Sequence, residues 1–182
     1  MPARVAGEIR LVILDVDGVL TDGSVLVGTL PGGEAVELKR FDIQDGLGVK
    51  MLLWSGIEVA VVSGRVSGAT EVRARELGIE EIHQDPAAEK LPVVRDLLDR
   101  KGLEWSQVAL VADDLADLPV LRKVGLPAAV ANAVPEVVEA SRWQGARRGG
   151  EGAVREFARA LLEARGEWTK QVEAYCRARA GE

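Results

Sequence analysis

The segment that most constrains the fold of this chain is a short apolar run that ends in two aspartates. Leu11–Leu14 are four consecutive apolar residues, and Asp15, Asp17 and Gly18 follow within four positions. A continuous apolar run of this length is typical of a parallel strand that is covered on both faces. Ligand sites of open α/β sheets lie at the carboxyl ends of such strands. Two carboxylates this close together need a cation between them, or a proton on one of them, if they are buried.

Strand and helix patterns alternate along most of the chain. Beyond the first strand, the patterns predict strands over 59–62, 108–111 and 128–130, and helices over 44–55, 69–77, 91–101, 115–124 and 135–141. Several of these helices stop at a glycine, which is the usual C-terminal signal. The alternation predicts an α/β fold with a Rossmann-like parallel sheet and flanking helices. Residues 24–41 interrupt it, because a Pro-Gly-Gly turn between two apolar stretches predicts a small β-hairpin insertion and no lid domain.

The C-terminal part of the chain follows a different pattern. After the glycine-rich segment 149–152, residues 153–164 are predicted to form an amphipathic helix, and residues 167–180 a second helix. The predicted organisation is therefore one α/β domain over residues 1–165, followed by a C-terminal helical tail over residues 166–182.

Composition argues against several classes of protein. The chain has 182 residues and a net charge of −6 at pH 7, which argues against nucleic acid as its main partner. No apolar run approaches the roughly 20 residues that span a bilayer, so we expect no membrane segment. Cys176 is the only cysteine and cannot form an internal disulfide. A reducing, cytoplasmic location is therefore expected.

The ends of the other predicted strands carry polar groups that suit a phosphate and a metal. Ser63 follows the second strand, where a hydroxyl and backbone N–H groups near a helix N-terminus suit phosphate oxygens. Lys90 opens the third predicted helix, and Asp113, Asp114 and Asp117 follow the next strand. Mg²⁺ prefers carboxylates, water and phosphate oxygens as ligands. The residues therefore predict a magnesium site at this edge of the sheet.

Taken in order, these residues resemble the motifs of the haloacid dehalogenase superfamily of phosphotransferases. The motifs are Asp15-Val16-Asp17-Gly18-Val19-Leu20-Thr21, Ser63-Gly64-Arg65, Lys90 and Asp113-Asp114. Further segments, between about Ile9 and Leu162, resemble the 3-deoxy-D-manno-octulosonate 8-phosphate phosphatase family. Those segments are Thr21-Asp22-Gly23, Phe41-Asp42-Ile43-Gln44-Asp45-Gly46, Ile57-Glu58-Val59-Ala60, Asp113–Val120 and Gly149–Glu156.

The resemblance implies a Mg²⁺-dependent phosphatase that works through an aspartyl-phosphate. Asp15 is then the nucleophile. Asp17 protonates the leaving alkoxide and afterwards activates water. Lys90 and the region of Ser63 stabilise the charge on the phosphate oxygens. The implied substrate is a 3-deoxy-2-keto sugar acid phosphate, namely 3-deoxy-D-manno-octulosonate 8-phosphate.

The resemblance also implies ligands for the metal and for the substrate. The metal ligands are Asp15, Asp17 through its backbone carbonyl, and Asp113, with Asp114 orienting the ligands. The implied substrate contacts are Asp17, Gln44, Asp45, Gly46, Lys50, Arg65 and Lys90. A cationic edge of this kind fits the carboxylate of a sugar acid. The residues alone leave alternatives open, since Lys50 is equally an ordinary solvated lysine and Arg65 equally a brace that pairs with a carboxylate.

The resemblance further implies a homotetramer, in which hairpins such as 24–41 pair between subunits and a neighbour closes each active site. This is physically reasonable, because an exposed hairpin edge favours pairing with another strand. The glycine-rich segment 149–152 has two open interpretations. It either hinges a tail that lies near a neighbour's active site, or it forms a turn before a surface helix.

Two departures from the family pattern bear on substrate and activity. Ala112 stands where the family usually has glycine. We expect its methyl group near the metal site to be tolerated, and crowding with reduced activity is the alternative. The segment 83–90 also differs, and His83 is interpreted as a surface or polar-core residue of a connecting segment. The alternatives are a phosphatase for a nonulosonate 9-phosphate or another small phosphate ester, and a non-catalytic regulatory subunit of a sugar-nucleotide enzyme. The complete set of catalytic residues disfavours the regulatory subunit.

Overall fold

Six of the strands form one parallel sheet, and two form a separate hairpin. The computed structural model describes residues 1–181. The strands are β1 (Leu11–Leu14), β2 (Leu26–Thr29), β3 (Ala35–Leu38), β4 (Glu58–Ser63), β5 (Glu81–Gln84), β6 (Val108–Ala112), β7 (Leu126–Ala129) and β8 (Trp143–Gln144). The helices are α1 (Ala3–Glu8), α2 (Ile43–Trp54), α3 (Gly68–Leu77), α4 (Lys90–Lys101), α5 (Leu118–Leu121), α6 (Pro135–Ala140), α7 (Ala153–Ala164) and α8 (Trp168–Ala180).

The sheet has the order β5-β4-β1-β6-β7-β8, and the hairpin pairs β2 with β3 in antiparallel fashion. The predicted α/β class, parallel sheet and small hairpin insertion are confirmed. Within residues 1–181 the insertion consists of the hairpin alone, with no helical lid domain. None of the helices in the described part of the chain is long and apolar enough to cross a membrane.

The central strand explains why the sequence begins with an unbroken apolar run. All four residues of β1 are fully buried, because both faces of the sheet are covered. Val12 and Leu14 belong to the apolar cluster beneath α1, α2, α3 and α7. Leu11 and Ile13 belong to the opposite cluster, beneath α4, α5 and α6. The polar residues that follow β1 therefore emerge from the middle of the core.

Helix α7 has the predicted bounds and is a main element of the core. It packs closely against α2, where a Cβ atom on Gly48 would lie 2.9 Å from the Cα atom of Arg155. Phe157 is fully buried and meets the ring of Trp143 edge to face, with the ring centroids 5.3 Å apart. The segment 149–152 therefore precedes a helix that packs into the core along one face, and this helix is more than a surface element.

The structure adds a polar edge strand that the sequence patterns did not predict. Strand β5 is only partly buried along its length, as is common for an edge strand. It contains His83, so the interpretation of His83 as part of a connecting segment is wrong. Burial raises the pKa of Glu81, but hydrogen bonds from Arg100, His83 and Lys101 more than offset this and lower it to about 2. Strand β8 and helix α1 were also not predicted, and both are short.

Proline accounts for two further differences. The helix predicted after the third strand is a short 3₁₀ turn, Leu115–Asp117, followed by α5. Pro119 lies in the first turn of α5, where its missing N–H is not needed. Strand β7 begins at Leu126, earlier than predicted, and contains Pro127. A proline is tolerated there because the pairing of β7 with the two-residue strand β8 begins only one position later.

The C-terminal helix is attached by aromatic and cationic contacts, without fully buried residues. The guanidinium group of Arg155 lies 4.7 Å from the centroid of the Trp168 ring. Tyr175 stacks on Trp54 with 5.9 Å between the ring centroids. Residue 182 lies outside the described residues, and the division into a domain and a tail stays a prediction.

Truncation of Phe157 tests the contribution of α7 to the core. We expect Phe157→Ala to lower the free energy of unfolding by about 3–5 kcal/mol, because it leaves a cavity in a fully buried site. The control Val72→Ala removes an apolar side chain that is 71% exposed on α3, and we expect it to change the free energy by less than about 0.5 kcal/mol. Urea unfolding followed by circular dichroism measures both, and equal effects would contradict the prediction.

Candidate active site

The ends of three neighbouring strands bring the predicted site residues together. Leu14, the last residue of β1, pairs with β4 on one side and with β6 on the other. Asp15, Ser63 and Asp113 therefore emerge at the same edge of the sheet. This is the carboxyl edge, where ligands of open α/β sheets bind.

A buried lysine joins two buried aspartates at this edge. Lys90 is the first residue of α4 and is 5% exposed. Its Nζ atom donates to Asp15 Oδ1 over 2.7 Å and to Asp117 Oδ1 over 2.8 Å. Burial lowers the pKa of the Lys90 ammonium, but the two carboxylates more than offset this and raise it above its usual value. The lysine is therefore charged in this site at neutral pH.

Three carboxylates converge beside this lysine in a form that suits a cation. Asp15, Asp113 and Asp117 each place an oxygen so that the three atoms lie within 4.8 Å of one another. Asp113 Oδ1 and Asp117 Oδ2 are buried and have no hydrogen-bond partner. Burial, and then the neighbouring carboxylates, raise the pKa of Asp113 to about 7. Burial raises the pKa of Asp15 despite its bond to Lys90. Clustered, unsatisfied carboxylate oxygens are the donor set that Mg²⁺ prefers.

The turn after β1 contains a glycine that the site requires. Val16–Leu20 form a wide turn closed by the N–H of Thr21, which donates to the carbonyl of Val16 over 3.0 Å. Gly18 has a φ of +89°, a conformation that favours glycine. A Cβ atom there would lie 1.9 Å from Asp113 Oδ2. The backbone of this turn therefore lies directly against one of the converging carboxylates.

The side chain of Asp17 is held by two cations. Lys39 follows β3, and its side chain, which is nearly fully buried, forms an ion pair with Asp17 Oδ1. Arg65 Nε lies 3.7 Å from Asp17 Oδ2, and Arg65 also pairs with Glu37 over 2.5 Å. The hairpin thus delivers a cation to the predicted acid. The sequence analysis missed Lys39, although the alternation of Glu37 and Lys39 placed both on one face of the hairpin.

The structure distributes the predicted substrate contacts over different surroundings. Gln44, Gly46 and Lys50 line a cleft of about 300 Å³ between α2, α3 and α8. The side chain of Arg65 lies near Asp17, and the backbone N–H of Arg65 donates to Ser63 Oγ over 3.2 Å. The roles of these residues toward substrate stay predictions.

Asp45 has a structural partner inside the protein. Its carboxylate is almost fully buried and accepts hydrogen bonds from the N–H groups of Gly152, over 3.3 Å, and Arg155, over 2.8 Å. It therefore caps the N-terminus of α7 from the neighbouring helix α2. Burial raises its pKa to about 6, partly offset by these backbone hydrogen bonds. The carboxylate of Asp45 is thus occupied by the backbone at the start of α7. A contact of Asp45 with substrate stays a prediction.

The acidic residues after β6 divide into two environments. Asp114 is exposed, and its carboxylate accepts the N–H of Leu115 over 2.7 Å. Asp117 is 1% exposed and belongs to the converging carboxylates. The sequence analysis placed Asp117 at this edge of the sheet, four residues after Asp113, but did not include it among the metal ligands. The role of Asp114 as an orienting residue stays a prediction. Ala112 lies in the apolar cluster under α4 and α5, so the structure accommodates its methyl group.

Comparisons with known proteins agree with this geometry. The chain is 45% identical over 161 residues to the 3-deoxy-D-manno-octulosonate 8-phosphate phosphatase KdsC of Escherichia coli K12, which covers 88% of this chain and 83% of that protein. It is 40% identical over 157 residues to KdsC of Yersinia pestis, with 86% and 81% covered. No family model matches the sequence.

Solved structures give the same result. A crystal structure of the 3-deoxy-D-manno-octulosonate 8-phosphate phosphatase from Moraxella catarrhalis, in complex with a magnesium ion, a phosphate ion and a KDO molecule, has a TM-score of 0.87 and 35% identity, covering 95% of this chain and 97% of that chain. A probable YrbI family phosphatase from Pseudomonas syringae pv. phaseolica 1448a has a TM-score of 0.87 and 42% identity, covering 96% of both chains.

The sheet with Asp15, Asp17, Lys90 and the acidic residues after β6 at its carboxyl edge defines a phosphatase of the haloacid dehalogenase superfamily. Phosphatases of this class hydrolyse phosphoric monoesters. The identities of 40–45% over most of the chain make the assignment more specific. The chain belongs to the 3-deoxy-D-manno-octulosonate 8-phosphate phosphatase family.

The raised pKa values predict how pH and Mg²⁺ affect stability. Asp113 and Asp117 have pKa values of about 7 when folded and about 4 when unfolded. The folded protein therefore holds more protons, and without metal its stability falls as the pH rises from about 4 to about 7. Mg²⁺ binds the deprotonated carboxylates. We expect a fixed Mg²⁺ concentration to raise the melting temperature more at pH 8 than at pH 6.

Differential scanning fluorimetry at both pH values, with and without MgCl₂, measures this effect. Asp113→Asn removes one of the titrating carboxylates, and we expect it to reduce both the Mg²⁺ effect and its pH dependence. The matched control Asp96→Asn changes an exposed aspartate that pairs with Arg100 on α4, and it should behave like the unchanged protein. An equal rise in melting temperature at pH 6 and pH 8 would contradict the assignment of these carboxylates as the metal site.

Proposed function

We propose that this protein hydrolyses 3-deoxy-D-manno-octulosonate 8-phosphate, with Asp15 as the nucleophile. The observation that carries the proposal is the buried pair of Asp15 and Lys90 within the acidic site, with Asp17 on the adjoining turn. The relatives described above are phosphatases of this sugar acid phosphate. The structure from Moraxella catarrhalis contains magnesium, phosphate and the sugar acid together.

The first half of the reaction is a transfer of the phosphoryl group to the protein. A carboxylate oxygen of Asp15 forms a bond to phosphorus while the ester bond between phosphorus and the sugar oxygen breaks. The Lys90 ammonium lies 2.7 Å from Asp15 Oδ1, so it stabilises negative charge at this position. Asp17 donates its proton to the departing sugar oxygen. The products are the free sugar acid and an aspartyl-phosphate.

The second half removes the phosphate from Asp15. Asp17, now a carboxylate, takes a proton from water as the water oxygen attacks phosphorus and the acyl-phosphate bond breaks. This releases inorganic phosphate and restores both aspartates. The contacts of Asp17 with Lys39 and Arg65 hold its carboxylate in a fixed direction between the two steps.

The converging carboxylates fit a magnesium ion. Asp15 and Asp113 would hold it with the backbone carbonyl of Asp17, and Asp117 lies close enough to contribute a further oxygen. When bound, Mg²⁺ neutralises charge on the phosphate and on Asp15, which reduces the repulsion between two anions. Within the same proposal, the region of Ser63 stabilises charge on the phosphate oxygens, and Asp114 orients the metal ligands.

A panel of phosphate esters, each measured with and without Mg²⁺, tests the substrate. We expect 3-deoxy-D-manno-octulosonate 8-phosphate to give a higher kcat/KM than a nonulosonate 9-phosphate or a simple hexose phosphate, and chelation of Mg²⁺ to abolish turnover. Asp15→Asn should lower kcat by at least about 10⁴-fold, since the covalent step is lost. Asp96→Asn serves as the matched control and should retain full activity.

The possible outcomes separate the alternatives. A preference for a nonulosonate 9-phosphate would replace the proposed substrate and leave the mechanism intact. Activity retained by Asp15→Asn would overturn the covalent mechanism. Absence of phosphate release from every ester of the panel would overturn the proposal and favour a regulatory role.

We further propose that the protein is a homotetramer in the cytoplasm, assembled through the hairpin. Val27, on β2, and Leu38, on β3, are 76% and 62% exposed. A two-stranded hairpin is marginally stable alone, and exposed apolar strands favour pairing with a partner. A second copy of the hairpin offers the same pattern of apolar residues and backbone groups.

A charge on the hairpin tests this assembly. We expect Val27→Asp to shift the protein from a tetramer to smaller species, because a carboxylate in an apolar interface is costly. The control Val72→Asp places the same charge on the exposed face of α3 and should leave the mass unchanged. Light scattering coupled to size-exclusion chromatography measures the mass. A monomeric unchanged protein, or a tetrameric Val27→Asp variant, would contradict the proposal.

A further inference from the structure

The side chain of Asn132 connects the turn of Asp17 to the glycine-rich segment before α7. Its Nδ2 atom donates to the carbonyl of Gly18 over 2.9 Å, and its Oδ1 atom accepts the N–H of Gly149 over 2.7 Å. The orientation of the amide follows from chemistry, because a carbonyl only accepts and an N–H only donates. Reversal of the amide would lose both bonds.

The backbone of the glycine-rich segment packs directly against the backbone of this turn. A Cβ atom on Gly149 would lie 1.9 Å from the carbonyl oxygen of Gly18, and one on Gly150 would lie 2.6 Å from the backbone nitrogen of Asp22. The N–H of Gly150 also donates to the carbonyl of Val19 over 3.1 Å. The turn is therefore held from outside, through its backbone, by Asn132 and by this segment.

The segment itself is fixed at both ends. The carbonyl of Arg147 accepts the N–H of Ala131, the residue before Asn132, over 3.0 Å. At the other end, the carboxylate of Asp45 accepts the N–H of Gly152. Asn132 thus connects the turn at Gly18 to the glycine-rich segment at Gly149, and this segment is itself hydrogen-bonded to the core. This makes the segment a rigid support for the turn.

We propose that Asn132 is a positioning residue for the acid–base step of Asp17. It acts through the backbone of Gly18, the residue next to Asp17, and it makes no contact with the substrate in this role. Gly18 has no side chain to fix the turn and lies in the left-handed region. The hydrogen bond from Asn132 supplies this restraint. The inference rests on the proposed phosphatase mechanism and extends it to a residue outside the motifs.

The test compares two leaving groups through kcat/KM, which reports the steps up to release of the alcohol. A sugar alkoxide needs a proton from Asp17, whereas p-nitrophenolate leaves without one. We expect Asn132→Ala to lower kcat/KM for the sugar acid phosphate by about 100-fold, the cost of a small misplacement of a reacting group. For p-nitrophenyl phosphate we expect a loss of less than about threefold, because no proton is required.

Two further variants sharpen the comparison. Asn132→Asp has nearly the same shape and keeps an acceptor for Gly149, but it loses the donor to Gly18, so we expect the same selective loss. It also carries the test if Asn132→Ala does not fold. Glu156→Gln is the matched control, since Glu156 accepts the N–H groups of Ala146 and Arg147 and has no hydrogen bond with the turn. It should affect both substrates equally and weakly.

Equal losses on both substrates, or no loss, in the folded Asn132 variants would overturn the inference, because a merely structural role does not depend on the leaving group. Failure of the proposed function is visible separately, as an unchanged protein that does not hydrolyse the sugar acid phosphate. In that case an alkyl phosphate that the unchanged protein does accept replaces the sugar acid phosphate in the comparison.

Discussion

The charge balance around Lys90 is the interaction on which the rest of the site depends. Asp15, Asp113 and Asp117 are three acids at the end of a buried sheet, and a single internal ammonium offsets part of their charge. Burial raises the pKa of all three carboxylates even beside Lys90, and without Lys90 the protonated forms would be favoured further. With it, the site retains negative charge in excess, which attracts a divalent cation. Helix α4 begins at Lys90, so the first residue of this helix lies at the sheet edge and places its ammonium beside the carboxylates.

Backbone atoms control the second aspartate as much as side chains do. The turn that carries Asp17 has a wide ring closed at Thr21, and Gly18 lies close to Asp113. Its outer surface lies against Gly149. Because neither glycine has a side chain, these backbones approach each other more closely than other residues would allow. Asp15, the proposed nucleophile, is therefore positioned by the sheet, whereas Asp17, the proposed acid, is positioned by packed turns from distant parts of the chain.

The sequence predicted the sheet, the hairpin and the gathering of Asp15 with Asp113, because apolar runs and strand ends are local patterns. It did not predict β5, whose residues are polar because it lies at an edge. Asp117 and Lys39 carried weak signals, in their spacing from Asp113 and in the alternation along the hairpin. Asn132 carried none, because its partners are backbone groups, and pairing across the fold is invisible in a single sequence.

The ion pair between Lys39 and Asp17 links the hairpin to the proposed acid. Lys39 follows β3, so any contact that moves the hairpin also moves the cation beside the acid. The apolar residues Val27 and Leu38 lie on the same hairpin. In the proposed tetramer, one hairpin would therefore supply both the contact between subunits and the cation beside Asp17. Separation of the subunits would then change the surroundings of Asp17 as well as the surface of the hairpin.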